Sequence, residues 1–145
     1  MSILVQRHDF DIGAEIAQLR AGRTDIGAVC SFVGTVRDVP LLLEHYPGMT
    51  ERMLETLEHQ ARQRFDLRSV RIVHRYGDLA PGDNIVLVLT LSRHRQPAFD
   101  GANFIMDSLK TQAPFWKLEK GTWIDQRPAD VKAVKNWQQN KSLRP

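Results

Sequence analysis

The sequence predicts an α+β fold, because strands and helices alternate irregularly along the chain and two of the strands are joined as a hairpin. The chain has 145 residues, of which 42% are apolar and 26% charged, and this composition is typical of a globular protein. The length fits a single domain over residues 1–145.

The N-terminal part of the chain predicts a strand, a helix and a second, longer strand. Ile3 to Gln6 has the pattern of a short strand, and Asp11 is expected to cap a helix that ends near Gly22. The β-branched run from Gly27 to Arg37 predicts a long strand. Within it, Gly34 marks a bulge or a close backbone approach.

A third strand and a second helix follow. Leu41 to Tyr46 predicts the strand, which ends at the turn Pro47-Gly48. Thr50 is expected to be the N-cap of the helix. Its apolar residues fall on one stripe, formed by Met53, Leu54, Leu57, Ala61 and Phe65.

Two further strands form the predicted hairpin. They run from Val70 to Tyr76 and from Ile85 to Ser92, and a turn-rich link joins them. The second strand is apolar at nearly every position, so both of its faces should be covered. We therefore expect it at the centre of the sheet.

The third helix is predicted from Pro97 to Gln112, with proline tolerated in its first turn. Phe104 points away from the apolar arc, so we expect it to be exposed, either by chance or as a subunit contact. The arc that should face the core contains Ala98, Phe99, Ala102, Ile105, Met106, Leu109 and Ala113.

The C-terminal part predicts two short strands, a helix and a polar tail. The strands are Phe115 to Lys120 and Gly121 to Ile124, and the helix runs from Pro128 to Trp137. The tail over residues 137–145 is expected to fray.

Composition and motifs exclude several functional classes. The five histidines have no metal-ligand spacing, and there is no phosphate-binding or dinucleotide-binding glycine motif, so we predict neither a metal nor a cofactor. The single cysteine, Cys30, lies in an apolar strand and is interpreted as a core residue. No stretch is long enough to span a membrane and no signal peptide is apparent, so we expect a cytoplasmic protein.

Basic residues stand at the ends of predicted elements, where sites are usually built. They are Arg37, His94, Arg95, Lys110 and Lys117. Lys110 would sit at the margin of the apolar arc, where its amine is partly desolvated, and a cation nearby would favour its uncharged form. The alternative is that these residues are ordinary surface cations on apolar stems.

Several long strings resemble the large, catalytic subunit of molybdopterin synthase and occur in that family's order. The most unusual are LEHYPGMTE at Leu43–Glu51 and LKTQAPFWK at Leu109–Lys117. The other matching segments are GAVCSFVGTVR at residues 27–37, VHRYGDLAPGD at 73–83, SRHR at 92–95, FIMDS at 104–108 and TWIDQR at 122–127.

This resemblance implies an α/β-hammerhead fold and a sulfur transferase of molybdenum cofactor biosynthesis. The implied substrate is cyclic pyranopterin monophosphate, or precursor Z, which is converted to molybdopterin by insertion of the dithiolene sulfurs. The implied sulfur donor is a small ubiquitin-like subunit with a C-terminal Gly-Gly thiocarboxylate. The resemblance also implies a homodimer that carries one such subunit on each protomer. The small net charge leads us to expect no nucleic acid as a partner.

The resemblance assigns roles to individual residues. Lys110 and Lys117 match the two essential lysines, Lys110 acting as general base or transient acyl acceptor, and His94 and Arg95 match an anion-binding pair contributed across the dimer. At position 35 the family often has lysine, whereas this chain has threonine. The remaining residues implied to bind substrate are Thr35, Val36, Arg37, Met106, Leu118, Glu119 and Arg127.

The segment after Arg37 departs from the family pattern. The family usually has a longer loop before Leu43, whereas here only five residues intervene. Either the loop is truly short, or loop residues are missing from the chain. We favour the second interpretation, because a tight connection would pull Arg37 out of a mobile active-site loop.

Two other functions stay open at this level. A non-enzymatic module that grips the tail of a ubiquitin-like protein would use the same basic groove. A nucleic-acid-binding domain would rest only on the formal net charge of +3, and the scattered aromatic residues offer it no stacking platform.

Overall fold

The computed structural model describes residues 2–112 and 115–119, together with the backbone of 122–124. It contains helices and two sheets, and the predicted α+β class is confirmed. In chain order the elements are β1 (Ile3–Gln6), α1 (Ile12–Arg20), β2 (Ala28–Thr35), β3 (Leu41–His45), α2 (Met49–Arg64), β4 (Ser69–Arg75), β5 (Gly77–Leu79), β6 (Asn84–Ser92), α3 (Arg95–Gln112), β7 (Phe115–Glu119) and β8 (Thr122–Ile124).

The main sheet has the strand order β1-β4-β6-β2, so β6 is an inner strand, as its apolar sequence predicts. Strands β4 and β2 both pair with β6 in antiparallel fashion, and β1 runs parallel to β4. Val86 to Ser92 are all buried. The register between β2 and β6 shifts between Gly34 and Thr35, which confirms the irregularity predicted at Gly34.

Helices cover both faces of the main sheet. On one face, α2 and α3 bury a cluster that includes Leu57, Ile72, Val88 and Ile105. On the other face, the apolar residues of α1 pack against Leu87, Leu89 and related side chains of the sheet. The side chain of Asp11 accepts a hydrogen bond from the Ala14 amide at 3.0 Å, so the predicted N-cap of α1 is confirmed.

The small sheet has the strand order β5-β3-β7-β8 and is antiparallel throughout. Under it lies a third cluster, formed by Val36, Leu43 and Leu79. The predicted pairing of β4 with β6 through a turn-rich link is confirmed, but the link also contains a short strand that the sequence did not predict. Because the link contains β5, which pairs with β3, the segment between the two strands of the main sheet also builds the small one.

The predicted N-cap of α2 is wrong by two residues. The cap is Gly48, whose φ of 83° is accessible to glycine at low cost, and its amide donates to the Glu51 carboxylate at 3.2 Å. Thr50 lies inside the helix and is fully buried. Its hydroxyl accepts a hydrogen bond from the Tyr46 amide, so it stabilises the turn rather than the helix end.

Two aromatic residues of α3 are placed opposite to the prediction. Phe104 is buried, with its ring centroid 5.9 Å from that of Phe65 and 4.8 Å from the guanidinium carbon of Arg64. Phe99, assigned to the core arc, is 53% exposed. Because α2 packs against α3, the helix buries a broader arc than its contact with the sheet alone requires.

Some predictions fall outside the described residues. These are Ala113 in the core arc, Lys120 and Gly121 in the last strands, Arg127, the helix Pro128–Trp137 and the tail 137–145. In the part of the chain that the structure describes, no helix is long and apolar enough to cross a bilayer.

Gly27 and Gly13 provide a matched test of the backbone packing. A Cβ at Gly27 would lie 2.2 Å from the Arg93 carbonyl oxygen, whereas at Gly13 its nearest neighbour would be an Asp11 oxygen at 3.6 Å. Gly27→Ala should therefore lower the free energy of unfolding by about 1–3 kcal/mol. Gly13→Ala, within α1, should raise it by roughly 0.5–1 kcal/mol. Urea unfolding measures both, and equal midpoints for the two variants would contradict this packing.

Candidate active site

A cavity of about 450 Å³ opens between the end of β2, the C-terminal turn of α3 and β7. It brings together side chains that are up to 87 residues apart in sequence, since Phe32 and Glu119 both line it. Its polar lining consists of Thr35, Arg37, Lys110, Lys117 and Glu119, and its apolar lining includes Phe32, Val33, Val39, Leu41 and Ile85. Of the residues that the sequence implicates in substrate binding, Thr35, Val36, Arg37, Lys110, Lys117 and Glu119 therefore converge here.

The end of β2 supplies one wall of the cavity. A Cβ at Gly34 would lie 2.9 Å from Val86 Cγ1, so glycine allows β2 to approach β6 closely where the register shifts. Thr35 is exposed, whereas Val36 is 6% exposed and belongs to the core under the small sheet. The Val36 amide donates to the Asp83 carbonyl, so it is not available to a ligand.

The connection after Val36 is short and continuous. Asp38 has a φ of 70°, and the Val39 amide donates to the Arg37 carbonyl at 2.8 Å. The Arg37 guanidinium lies 3.8 Å from the Asp38 carboxylate, but both side chains are more than 80% exposed, so this ion pair is weak. Arg37 lines the cavity from this tight connection.

Strand alternation directs Lys117 and Glu119 toward the cavity. On β7, Lys117 pairs with Leu43 and Glu119 pairs with Leu41, on the face that covers the small-sheet core. Lys117 is half-buried, and Lys110, in the last turn of α3, is exposed. The two lysines thus reach the same cavity from a helix and a strand.

Four residues with predicted roles in binding lie elsewhere in the structure. Leu118 faces the opposite side of β7 and lines a separate cavity of about 410 Å³ with Leu42 and Asp78. Met106 is 9% exposed and packs in the core between α2, α3 and the main sheet. His94 and Arg95 are exposed at the N-terminal end of α3, and Lys110 is 15 residues beyond Arg95, about 22 Å along the helix.

The charge of the cavity favours an anion. Among the described residues that line the cavity, Arg37, Lys110 and Lys117 are cations and Glu119 is the one carboxylate. A guanidinium and two ammonium groups supply hydrogen-bond donors and fixed positive charge, which suit a phosphate or a carboxylate. The arrangement can therefore hold an anionic substrate and stabilise negative charge that develops on a carbonyl under attack.

A recess of about 100 Å³ adjoins the cavity, and sequence reasoning did not single out its buried histidine. Gly34, Thr35, Lys110 and Lys117 line both spaces, and the recess adds His74 and Phe115. Burial lowers the pKa of His74 to about 3, and the charges of Lys117 and Lys110 act in the same direction. A lone histidine in an apolar strand carries no local signal of a site, because only the fold brings it to the two lysines.

Neither a metal nor a thiol nucleophile is suggested by the described residues. They contain no group of three or more His, Cys, Asp or Glu side chains that could hold a metal ion. Cys30 is half-buried, and desolvation raises the pKa of its thiol. It is not among the residues that line the cavity or the recess.

Comparison with known proteins identifies the family. Residues 5–112 match the family model described as MoaE protein. The chain belongs to the MoaE family. It is 51% identical to the molybdopterin synthase catalytic subunit of Rhizobium meliloti strain 1021, in an alignment 148 residues long that covers 94% of this chain and 96% of the relative.

Solved structures have the same fold. The molybdopterin cofactor biosynthesis protein E of Burkholderia multivorans superposes with a TM-score of 0.86 at 51% identity, covering 94% of this chain and 96% of that one. A chain from the complex of subunits 1 and 2 of molybdopterin-converting factor from Helicobacter pylori superposes with a TM-score of 0.72 at 21% identity, covering 88% and 92%. The MoaE fold thus extends over most of this chain.

Buried His74 should make the stability of this MoaE protein depend on pH. The unfolded chain takes up a proton on this side chain near pH 6.5, whereas the folded chain does so only near pH 3, so stability present above pH 6.5 is lost as the pH falls. Between pH 7 and pH 5, His74→Phe should lose about 2 kcal/mol less unfolding free energy than the wild type.

Denaturant unfolding at the two pH values measures this difference. His59→Phe is the matched control, because the His59 side chain is exposed to water. If His74→Phe and the wild type lose the same free energy on acidification, His74 is not held neutral in the fold.

Proposed function

We propose that this protein is the catalytic subunit of molybdopterin synthase and that it transfers sulfur to cyclic pyranopterin monophosphate to build the dithiolene of molybdopterin. Membership of the MoaE family and relatives named as this subunit support the proposal. One observation of the structure carries it: Lys110 and Lys117, from different elements, converge with Arg37 on one cavity. A cytoplasmic location remains a prediction from sequence.

The cavity suits a sulfur that another molecule delivers. Cys30 does not line it, and none of the other described lining residues carries a thiol. The donor we propose is a C-terminal thiocarboxylate, whose sulfur attacks a substrate carbon and displaces an oxygen from it, which leaves as phosphate ester oxygen or as water. The product of this step is a thioester between substrate and donor. Water or the amine of Lys110 then attacks the acyl carbon, and the acyl C–S bond breaks so that the sulfur stays on the substrate.

The lysines and the arginine have separate tasks in this scheme. Lys110 acts as general base for the attacking water, or as the transient acyl acceptor. Lys117 and Arg37 hold the phosphate and the thiocarboxylate tail through charge-assisted hydrogen bonds. Thr35 lines the same wall, where the family often has lysine, so its hydroxyl replaces a further charge with a neutral hydrogen-bonding group.

The proposed sulfur donor is a small ubiquitin-like subunit with a Gly-Gly tail. The cavity lies at the surface and has room for an extended C-terminal peptide, and capture of a terminal carboxylate is a recognised binding mode. The Helicobacter pylori protein of the same fold was solved as a complex of two subunits of molybdopterin-converting factor. That complex supports a partner of this kind.

A homodimer explains the position of His94 and Arg95. In one protomer they lie about 22 Å from Lys110 along α3, too far to share one small substrate with it. They would contribute to catalysis if a second copy brought its own pair to the cavity. Phe99 of α3 and Phe32 of the edge strand β2 are 53% and 40% exposed, and they offer apolar area for such a contact.

Turnover with purified components tests the proposed function. The protein is incubated with precursor Z and a thiocarboxylated small subunit, and the dithiolene product is assayed. Product formation separates an enzyme from a module that only grips the tail. Tight tail binding without any product would overturn the proposal.

Lys110→Ala should lower the rate of dithiolene formation by at least about a hundredfold, because it removes the amine that acts as general base or acyl acceptor. Binding of the small subunit and the unfolding midpoint should stay close to the wild-type values, because Lys110 is exposed. Lys110→Arg is the control that keeps the charge but cannot act as base or acyl acceptor, and it should be as inactive as Lys110→Ala. Wild-type rates in the alanine variant would remove Lys110 from the mechanism.

Mixed dimers test whether the site is shared. Lys110→Ala and Arg95→Ala should each be defective alone, but a dimer with one copy of each contains one cavity with both residues intact. That mixed dimer should regain up to about half of the wild-type rate. Co-expression with two different tags isolates the mixed dimer. If it is no more active than the dimers of either single variant, Lys110 and Arg95 do not act together across the interface.

A further inference from the structure

His74 is a buried polar side chain at the proposed site, and the mechanism above gives it no task. It is 4% exposed and lies on β4 opposite Val86 of β6, on the face of the main sheet that α3 covers. It lines the recess together with Lys110 and Lys117. A polar group in this position requires a physical explanation.

The hydrogen bond of its Nδ1 atom defines the tautomer. Nδ1 lies 2.8 Å from the Arg75 carbonyl oxygen, which can only accept, so Nδ1 carries the proton. The ring also stacks on Phe115, with centroids 3.7 Å apart and planes inclined by 17°. The imidazole is therefore fixed in rotation, and Nε2 retains its lone pair.

Nε2 has no hydrogen-bond partner among the described residues, and it is not fully buried. The only hydrogen bond of the His74 side chain among the described residues is the one to Arg75. The described residues that line the recess next to it include two lysines and no carboxylate. Because His74 lines the recess, a donor within the recess is the natural partner of Nε2.

Lys117 is the better placed of the two lysines. It lies two residues after Phe115 on the same face of β7, and Phe115 is in direct contact with His74. Lys110 approaches from the end of α3 and is more exposed. The charge of the Lys117 ammonium also lowers the pKa of His74 more than the charge of the Lys110 ammonium does.

We propose that His74 is a positioning residue whose Nε2 accepts a hydrogen bond from the Lys117 ammonium and thereby holds this charge against the wall of the cavity. The kinetic consequences of this contact rest on the proposed function, whereas the contact itself is independent of it. Held in this way, Lys117 points its remaining donors at the anion and leaves Lys110 free to act on the acyl carbon.

Burial keeps the acceptor available. Desolvation, with smaller contributions from Lys117, Lys110 and His45, keeps the imidazole neutral at every pH at which the protein would work. A protonated ring would add a further cation beside the lysines and would have no lone pair to offer. The apolar surroundings of His74 on β4 thus maintain its hydrogen-bonding role.

Two substitutions separate the acceptor from the stacked ring. His74→Phe retains a flat ring against Phe115 but has no acceptor, whereas His74→Gln loses the stacking and places an amide oxygen near the position of Nε2. Loss of the acceptor makes the Lys117 ammonium easier to deprotonate. We expect His74→Phe to lower kcat about tenfold and to move the alkaline limb of the pH–rate profile to lower pH by about one unit. In His74→Gln, kcat and the position of the alkaline limb should both lie close to the wild-type values.

A purely structural role predicts the reverse order, with phenylalanine better tolerated than glutamine and no change in the pH profile. The double variant His74→Phe/Lys117→Ala extends the test. If His74 acts through Lys117, the double variant should be no slower than Lys117→Ala alone. Additive losses, or a phenylalanine variant with wild-type kinetics, would overturn the proposal.

A second readout does not depend on turnover. Acetylation of the lysines with acetic anhydride across a pH series, followed by peptide mass spectrometry, reports the reactivity of Lys117 directly. In His74→Phe the pH midpoint for acetylation of Lys117 should fall by about one unit relative to the wild type, while the midpoints of lysines elsewhere in the chain stay constant. An unchanged midpoint rejects the contact even if sulfur transfer occurs, and a shifted midpoint without turnover rejects only the proposed function.

Discussion

The candidate site depends on the register in which β7 pairs with β3. In this register Phe115, Lys117 and Glu119 share the face that lines the cavity or its recess, whereas Trp116 and Leu118 share the opposite face. Because successive strand residues point to opposite faces, a slip of one residue would exchange the two sets and remove the Lys117 ammonium from the cavity. Leu43, fully buried opposite Lys117, opposes such a slip, since it would have to leave the core under the small sheet.

The electrostatics of the cavity follow from this pairing and from the end of α3. Arg37, Lys110 and Lys117 surround one space, and its lining in the described part of the chain contains a single carboxylate, that of Glu119. Such a set of like charges repels itself, so it is stabilised when an anion enters. The adjoining recess contributes a histidine whose lowered pKa keeps it neutral at pH 7, and the apolar residues Phe32, Val39 and Ile85 also line the cavity. The same arrangement can therefore hold an anion and stabilise negative charge that develops on a carbonyl under attack.

Local patterns in the sequence were sufficient for most of the fold. The apolar run of β6, the Asp11 cap and the spacing of the α2 stripe each express a local preference that the tertiary structure also satisfies. The errors occur where a distant element decides. Phe104 is buried because α2 packs on α3, and β5 forms because β3 offers an edge to pair with. The candidate site also combines local and distant causes. Resemblance to the family singled out both lysines that line the cavity, but it also singled out two residues that lie outside it: Leu118 because of strand alternation, and Met106 because it packs in the core.

The amino-acid sequence alone determined the class of fold, the order of its elements, the family and the presence of basic residues at the ends of elements. These properties depend on neighbours within a few turns of helix or strand, or on strings of residues that can be compared directly. Only the tertiary structure decided which cations share a cavity, that Val36 has its amide engaged, and that His74 lies between Phe115 and two lysines. Each of these depends on the pairing of segments far apart along the chain, for which no short stretch of sequence carries a signal.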